Sequence, residues 1–364
     1  MATLLINKDT VLHNLSVLRE QSGARVIPVL SGNAMGLGDC GMASLLSEAG
    51  VKLFAVSRIE EAQRVAAALP PDDEIILTTP YETESDAKRI IDLGLTASVG
   101  SHESAVLLNG LAGSAGVKCR VHLLFDTGIG RCGFLPEEAE KALHEAKYLE
   151  NIEVTGCFTE LVDPTGCDKK GAVQQLKIFE NCLTVLKKAD VNPGMTYTTY
   201  SAVNTKRQSQ GLDAVLAGPV LFGRAAPRRK LGVQKAYKLI SEVSSLRWLP
   251  AGRTIGEYRR WRAAKPVRVA VIPVGHSDGI VLDKAKDSFR FGDIVRYRHR
   301  DFMLHFRHEQ LCCEISGKKA ELLGSVGRSA VAADVSAFDC KPGEVAVFEI
   351  DPEYLSSDIE RRYI

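Results

Sequence analysis

Over the first two-thirds of the chain, short apolar runs alternate with amphipathic stretches. The runs are Val26–Leu30, Lys52–Val56, Glu74–Thr78, Leu95–Val99, Cys119–Phe125, Asn151–Phe158, Met195–Tyr200 and Ala214–Ala217. Most are rich in Val, Ile, Leu or Thr and do not alternate apolar with polar, which is the pattern of strands buried on both faces of a parallel sheet. Between them, Gly41–Ala49, Ile59–Ala68, Ser85–Leu93 and Glu103–Gly110 carry apolar residues three and four apart, the helical spacing. Pro136–Tyr148 begins with Pro and two glutamates, a favourable first helical turn. Val173–Ala189 presents Val173, Leu176, Ile178, Phe179, Leu183, Val185 and Leu186 as its apolar set. Such alternation predicts a parallel barrel or a doubly wound sheet, and eight candidate strands favour the barrel.

From about Lys238 the texture changes to strands separated by turn residues. These are Lys238–Leu249, Val267–Pro273, Leu304–Arg307, Gln310–Ile315, Lys319–Leu323, Ala330–Asp334 and Glu344–Ile350. The fold class expected is therefore α/β, a (β/α)8 TIM-like barrel over residues 1–235 followed by a C-terminal antiparallel β domain over 236–364.

Composition narrows the function classes. The 364 residues are 45% hydrophobic, enough for more than one core. A formal net charge of +1 gives no reason to expect a nucleic-acid or anionic-membrane partner. The local basic run Arg253–Arg268, with Tyr258 and Trp261 inside it, reads as a solvated face. No window is apolar for long enough to span a membrane, and MATLLINKDT has no signal-peptide pattern. Nine scattered cysteines without a CxxC suggest neither a disulfide framework nor a zinc ribbon. A cytoplasmic location is expected.

Specific phrases then punctuate the predicted elements. They are SRIEEA (Ser57–Ala62), FDTGIGRCGF (Phe125–Phe134), YSAV (Tyr200–Val203), LAGPVLFGR (Leu216–Arg224), IPVGHSDG (Ile272–Gly279), LGSVGR (Leu323–Arg328) and the tail DPEYLSSDIERRYI. In this order and spacing they closely resemble the alanine racemases over essentially the whole chain. The resemblance implies a pyridoxal-phosphate barrel, a β domain and a head-to-tail homodimer whose half-sites join one barrel to the partner's β domain. It also implies two bases, a lysine holding the cofactor as a Schiff base and a tyrosine contributed in trans.

At the positions that carry this chemistry the chain departs from the family. The lysine belongs in a phrase of the type V-V-K-x-N-x-Y-G-x-G, but here Val29 to Gly38 reads VLSGNAMGLG, with Ser31 for the lysine and Met35 for a phosphate-binding tyrosine. The trans tyrosine of a G-Y-x-D-G phrase is His276, and a second tyrosine, from a G-Y-G phrase, is Glu257. Leu216 stands for the arginine that bonds the pyridine nitrogen, Glu160 follows Thr159 in place of a histidine, and Leu124 replaces a lysine. After LGSVGR the pocket pair is missing, the chain reading Ser329-Ala330-Val331. Asn33, Asp126, Arg131, Ser201, Gly218 and Asp278 remain, with Ser201 and Gly218 as a vestigial phosphate site and Arg131 and Asn33 beside it. Lys88, Lys118 and Lys147 do not fall at the C-terminal ends of predicted strands, where barrel sites lie.

The expectation is a protein that has lost Schiff-base racemase activity. No cofactor is expected to be covalently bound, which leaves room for non-covalent pyridoxal phosphate or phosphate. It would bind a small ligand, form a homodimer, or pair with a true alanine racemase. An altered route with Glu160 and His276 as bases, or a purely structural role, are the alternatives. By the family geometry Ser31, Glu160 and Tyr200 would line the mouth, with Glu257 and His276 contributed by the partner subunit, but polar residues left in a relaxed cavity explain them without a metal. The Cys132 and Cys157 thiols read as barrel-wall packing rather than opposed bases. His299, His305 and His308, among Arg296, Arg298 and Arg300, read as a solvated edge rather than a metal site.

Overall fold

The computed structural model describes residues 2–162, 169–199, 211–224, 231–256, 261–280 and 311–364. They divide into two compact units, Lys8–Ala236, and Met1–Asn7 with Tyr237–Ile364. The first strand, β1 (Thr3–Ile6), thus belongs to the β unit, whereas the sequence reading groups residues 1–7 with the barrel. Its reason is backbone pairing: β1 lies between two strands from the far end of the chain.

The α/β unit opens with α1 (Lys8–Ser22) and β2 (Arg25–Pro28), followed by a short turn, α2 (Ser31–Met35), and α3 (Asp39–Glu48). Then come β3 (Leu53–Val56), α4 (Ile59–Ala68), β4 (Glu74–Leu77), α5 (Glu84–Asp92), β5 (Thr96–Val99), α6 (His102–Ala115) and β6 (Cys119–Phe125). Next are α7 (Ala139–Tyr148), β7 (Ile152–Thr159), α8 (Lys169–Lys188), β8 (Met195–Thr199) and β9 (Ala214–Ala217). The eight strands β2 to β9 pair in parallel in the order β2-β9-β8-β7-β6-β5-β4-β3. A bridge between Val29 and Ala55 joins the two ends and closes the barrel. Every strand predicted from the apolar runs is present to within two residues at either end.

Inside the barrel, Ile27, Leu53, Ala55, Ile76, Leu124, Phe158, Tyr197, Ala214 and Leu216 form one buried cluster. A buried polar pair lies within it: His122 Nδ1 and the Tyr197 hydroxyl are 2.7 Å apart. Tyr197 also stacks on Phe158, with ring centroids 4.9 Å apart. The β6–β7 register shifts between Val121 and His122, which sets His122 opposite Gly156. A β-carbon at Gly156 would come within 2.7 Å of the imidazole, so only glycine leaves room for the ring.

The β unit contains β10 (Tyr237–Glu242), β11 (Ser245–Leu249), a β12–β13 hairpin (Thr254–Ile255 and Trp261–Arg262) and β14 (Val267–Ile272). It continues with β15 (Cys312–Ile315), β16 (Lys318–Glu321), β17 (Val331–Asp334), β18 (Val345–Phe348) and β19 (Glu360–Tyr363). One sheet runs β16-β15-β18-β10-β1-β19 and another β11-β14-β17. The stretch Lys238–Leu249, read from sequence as one strand, is two strands in different sheets. Between them the Val243 amide donates to Glu344 and the Ser244 amide to Val271, so the chain changes sheets there. Pairing is antiparallel except for β1 with β19. No described helix is long and apolar enough to cross a membrane.

Candidate active site

The singled-out residues of the α/β unit cluster at the C-terminal ends of its strands, the end at which (β/α)8 barrels hold their sites. Ser31 follows β2, Ser57 follows β3, Arg131 follows β6, Glu160 follows β7 and Gly218 follows β9. Each is fixed by a local device that the sequence motifs supply.

Ser31 and Ser57 share a hydrogen bond of 2.7 Å between their hydroxyls. After Ser31 the backbone turns left-handed, with φ of 64° at Gly32, 57° at Asn33, 51° at Ala34 and 55° at Met35. For residues other than glycine this conformation costs about 1–2 kcal/mol each, and the surroundings must hold it. Glu61, the fifth residue of SRIEEA and buried, supplies one such hold. One carboxylate oxygen accepts the Gly32 amide at 2.8 Å, and the other accepts the Ser57 and Arg58 amides at 3.3 and 3.2 Å. Asn33 Oδ1 accepts the Asp39 amide at 2.9 Å, and the Asp39 carboxylate is gripped twice by Arg64, at 3.0 and 2.7 Å. Met35 leaves this turn pointing at Gly218, where a β-carbon would lie 3.2 Å from Met35 Cε and 3.7 Å from Val29 Cβ.

FDTGIGRCGF is a folded-back turn. Asp126 accepts the amides of Gly128, Ile129 and Gly130 at 2.9, 2.8 and 2.7 Å, and the Phe134 amide returns to the Leu124 carbonyl. The turn presents Arg131 and Cys132 to solvent. Arg131 reaches across to Glu160, with 2.8 Å between guanidinium and carboxylate. Thr159 is buried, its hydroxyl bonded to Thr127 and to the Phe125 carbonyl, and Gln175 ties Thr127 to the Glu160 carbonyl. Sequence reasoning did not single out Glu61, Gln175 or the His122–Tyr197 pair; of these only Glu61 lies in a phrase it quoted.

Beneath the mouth, Leu124 and Leu216 are buried in the apolar cluster with Tyr197 and Phe158. Burial drives the Tyr197 hydroxyl well above its ordinary pKa and pushes the His122 imidazole down to about 3, so both are neutral. Cys157 is fully buried in β7, and burial pushes its thiol up. Cys132 is exposed, its thiol raised by partial burial and then by Glu160. A raised pKa opposes the thiolate that a thiol base needs. Among the described residues, no group of three or more His, Cys, Asp or Glu side chains is placed to hold a metal ion.

In the β unit, Gly275 packs against the backbone of Gly327 and Arg328, and Asp278 accepts the Gly275 amide at 2.7 Å. This turn leaves His276 exposed. Tyr200, Ser201, Glu257, His299, His305 and His308 lie outside the described residues.

Comparison with known proteins accounts for the architecture. The family model for the alanine racemase N-terminal domain matches residues 6–226, and that for the C-terminal domain matches residues 236–358. An alanine racemase of Chlorobaculum tepidum is 30% identical over 291 residues, 77% of this chain and 74% of that protein. The structure of alanine racemase from Clostridium difficile 630 superposes with a TM-score of 0.82 at 20% identity, covering 99% of this chain and 88% of that one. Alanine racemase from Bartonella henselae, with covalently bound pyridoxal phosphate, superposes with a TM-score of 0.77 at 20% identity, covering 100% and 99%. Two family models in sequence order, a closed eight-stranded parallel barrel and the β unit lead to one conclusion: the chain belongs to the alanine racemase family.

Proposed function

We propose that this family member has lost the lysine-dependent racemase reaction and acts as a non-catalytic homologue that binds a small ligand or pairs with another chain. Position 31 carries the reading. At the strand exit where the family resemblance places an amine, this chain has a hydroxyl bonded to Ser57. An imine requires a primary amine, and an alcohol has no nitrogen to form one.

The neighbouring residues do not fit a Schiff-base cofactor either. Leu216 offers a pyridine nitrogen no donor or acceptor, and it is packed in an apolar cluster. Met35 brings a thioether where a hydroxyl would meet a phosphate. Lys88 is ion-paired with Glu84 on the outer face of α5, Lys118 is exposed ahead of β6, and Lys147 is exposed on α7, so none of the three is at a strand exit. No step through the cofactor is therefore derived for this chain. An altered route through Glu160 and His276 is the alternative reading. Against it, Glu160 is engaged by Arg131.

The pairing part of the proposal is a head-to-tail homodimer, or a mixed dimer with an active alanine racemase. Its support is the family resemblance, which builds each half-site from a barrel and a partner's β domain.

The deciding experiment is an absorbance titration of the purified protein with pyridoxal phosphate, followed by borohydride reduction and mass measurement. The expected result is no aldimine band, no adduct and no racemisation of alanine. A band with a covalent adduct, mapped to any lysine, overturns the reading. Co-purification with an active racemase supports the mixed dimer, whereas clean homodimers in excess racemase exclude it.

A further inference from the structure

Resting on that reading, a second conclusion concerns binding rather than chemistry. We infer that Met35 closes the phosphate end of the former cofactor site, so that the chain excludes pyridoxal phosphate even as a non-covalent ligand. On this inference Gly218 offers no phosphate site.

Glycine at a binding loop lets a ligand approach the backbone, because no β-carbon stands in the way. At Gly218 that open side is already taken. The place a β-carbon would occupy lies 3.2 Å from Met35 Cε, so the thiomethyl group rests where a ligand oxygen would have to come. A phosphate oxygen accepts N–H donors at roughly 2.7–2.9 Å. A methyl group in that position offers a phosphate oxygen no hydrogen-bond donor.

Met35 is held in place by structure the chain maintains at a cost. Three consecutive non-glycine residues, Asn33 to Met35, are left-handed. The Ala34 amide donates to the Leu30 carbonyl, the Gly36 amide to Gly32 and the Gly38 amide to Asn33. Glu61 and Asp39 hold the two ends of the turn from outside. The turn therefore fixes the Cα–Cβ direction of Met35, from which its thioether reaches Gly218. Below it, Leu124 and Leu216 extend the apolar filling towards Phe158 and Tyr197, where a pyridine ring would find no polar partner.

The test uses pyridoxine 5′-phosphate, whose alcohol cannot form an imine with any lysine of the chain. Its binding to the full chain is followed by fluorescence, with near-UV circular dichroism as the check on folding. Wild type is expected to show no saturable binding into the millimolar range. Met35→Ala and Met35→Ser, which shorten the side chain, are expected to bind at least tenfold more tightly, while Met35→Leu, which keeps the bulk, stays like wild type. Saturable micromolar binding by wild type overturns the inference. So does a folded Met35→Ala or Met35→Ser that binds no better than wild type. Failure of the broader functional reading has a different signature, a borohydride-reducible adduct with pyridoxal phosphate, to which pyridoxine phosphate is blind.

Discussion

His122 and Tyr197 hydrogen-bond one another beside the apolar residues of the barrel core, and the arrangement makes stability depend on pH. An unfolded chain binds a proton on this imidazole near pH 6.5, whereas burial holds the folded value at about 3. Between those values the unfolded state carries the extra proton. The contribution is therefore complete above pH 6.5 and is lost as pH falls, by about 1.4 kcal/mol per unit. Denaturant unfolding of His122→Gln between pH 4 and 6 is expected to show a shallower pH slope than wild type by about that amount; equal slopes would show that the imidazole takes up its proton in the folded state. Gly156 is the steric half of the same device. Gly156→Ala forces the ring off its seat and is expected to lower stability by about 1–3 kcal/mol in a urea melt. The alanine variant matching wild type would mean that the imidazole can shift without cost.

At the level of elements, α2 is the least expected piece and Glu61 the residue that stabilises it. Removing that carboxylate frees the amides of Gly32, Ser57 and Arg58 together. Glu61→Ala is expected to cost roughly 3 kcal/mol, at about 1.5–3 kcal/mol for a single hydrogen bond to a charged group. It should also speed amide exchange at Gly32 and Arg58 while exchange in β6 is unchanged. Uniform acceleration across the barrel would instead mark a global effect. The strands of the barrel were legible because burial on both faces leaves an unbroken apolar run, as in Phe54-Ala55-Val56 and Ile75-Ile76-Leu77. Helix α1 was not singled out, since its buried side includes Asn14 and Ser22 beside Val11, Leu15 and Leu18, which blurs the apolar stripe. Asn14 is buried because its amide serves the Leu221 and Gln234 carbonyls, a tertiary fact with no local signature. The left-handed turn was equally invisible: alanine and methionine avoid that backbone on their own, and the residues that impose it are up to 29 positions away. At Ser31 and Leu216 the sequence departs from the family phrases, and that departure is visible without a structure.

For the molecule as a whole, the division into units does not follow the order of the chain. Strand β1 is the penultimate strand of its six-stranded sheet, hydrogen-bonded to β10 on one side and to the edge strand β19 on the other. Deleting residues 2–7 therefore removes an interior strand from the β unit and leaves the barrel strands β2 to β9 intact. That leaves β10 a bare edge, a template for association, and β19 without its partner strand. The truncated chain is expected to aggregate and to lose protease protection first between Tyr237 and Ile364, with the Lys8–Ala236 fragment surviving longest. Preferential digestion of the barrel would contradict this partition.

The placement of β1 also imposes a schedule on synthesis. Thr3 and Glu360, paired across the finished sheet, are 357 positions apart. At translation rates of about 5–20 residues per second, the first strand waits roughly 20–70 s for that neighbour. Every barrel strand has left the ribosome by then. Until Tyr237–Glu242 emerges to pair with the other side of β1, Leu4-Leu5-Ile6 stays an unpaired hydrophobic segment while the barrel strands are being made.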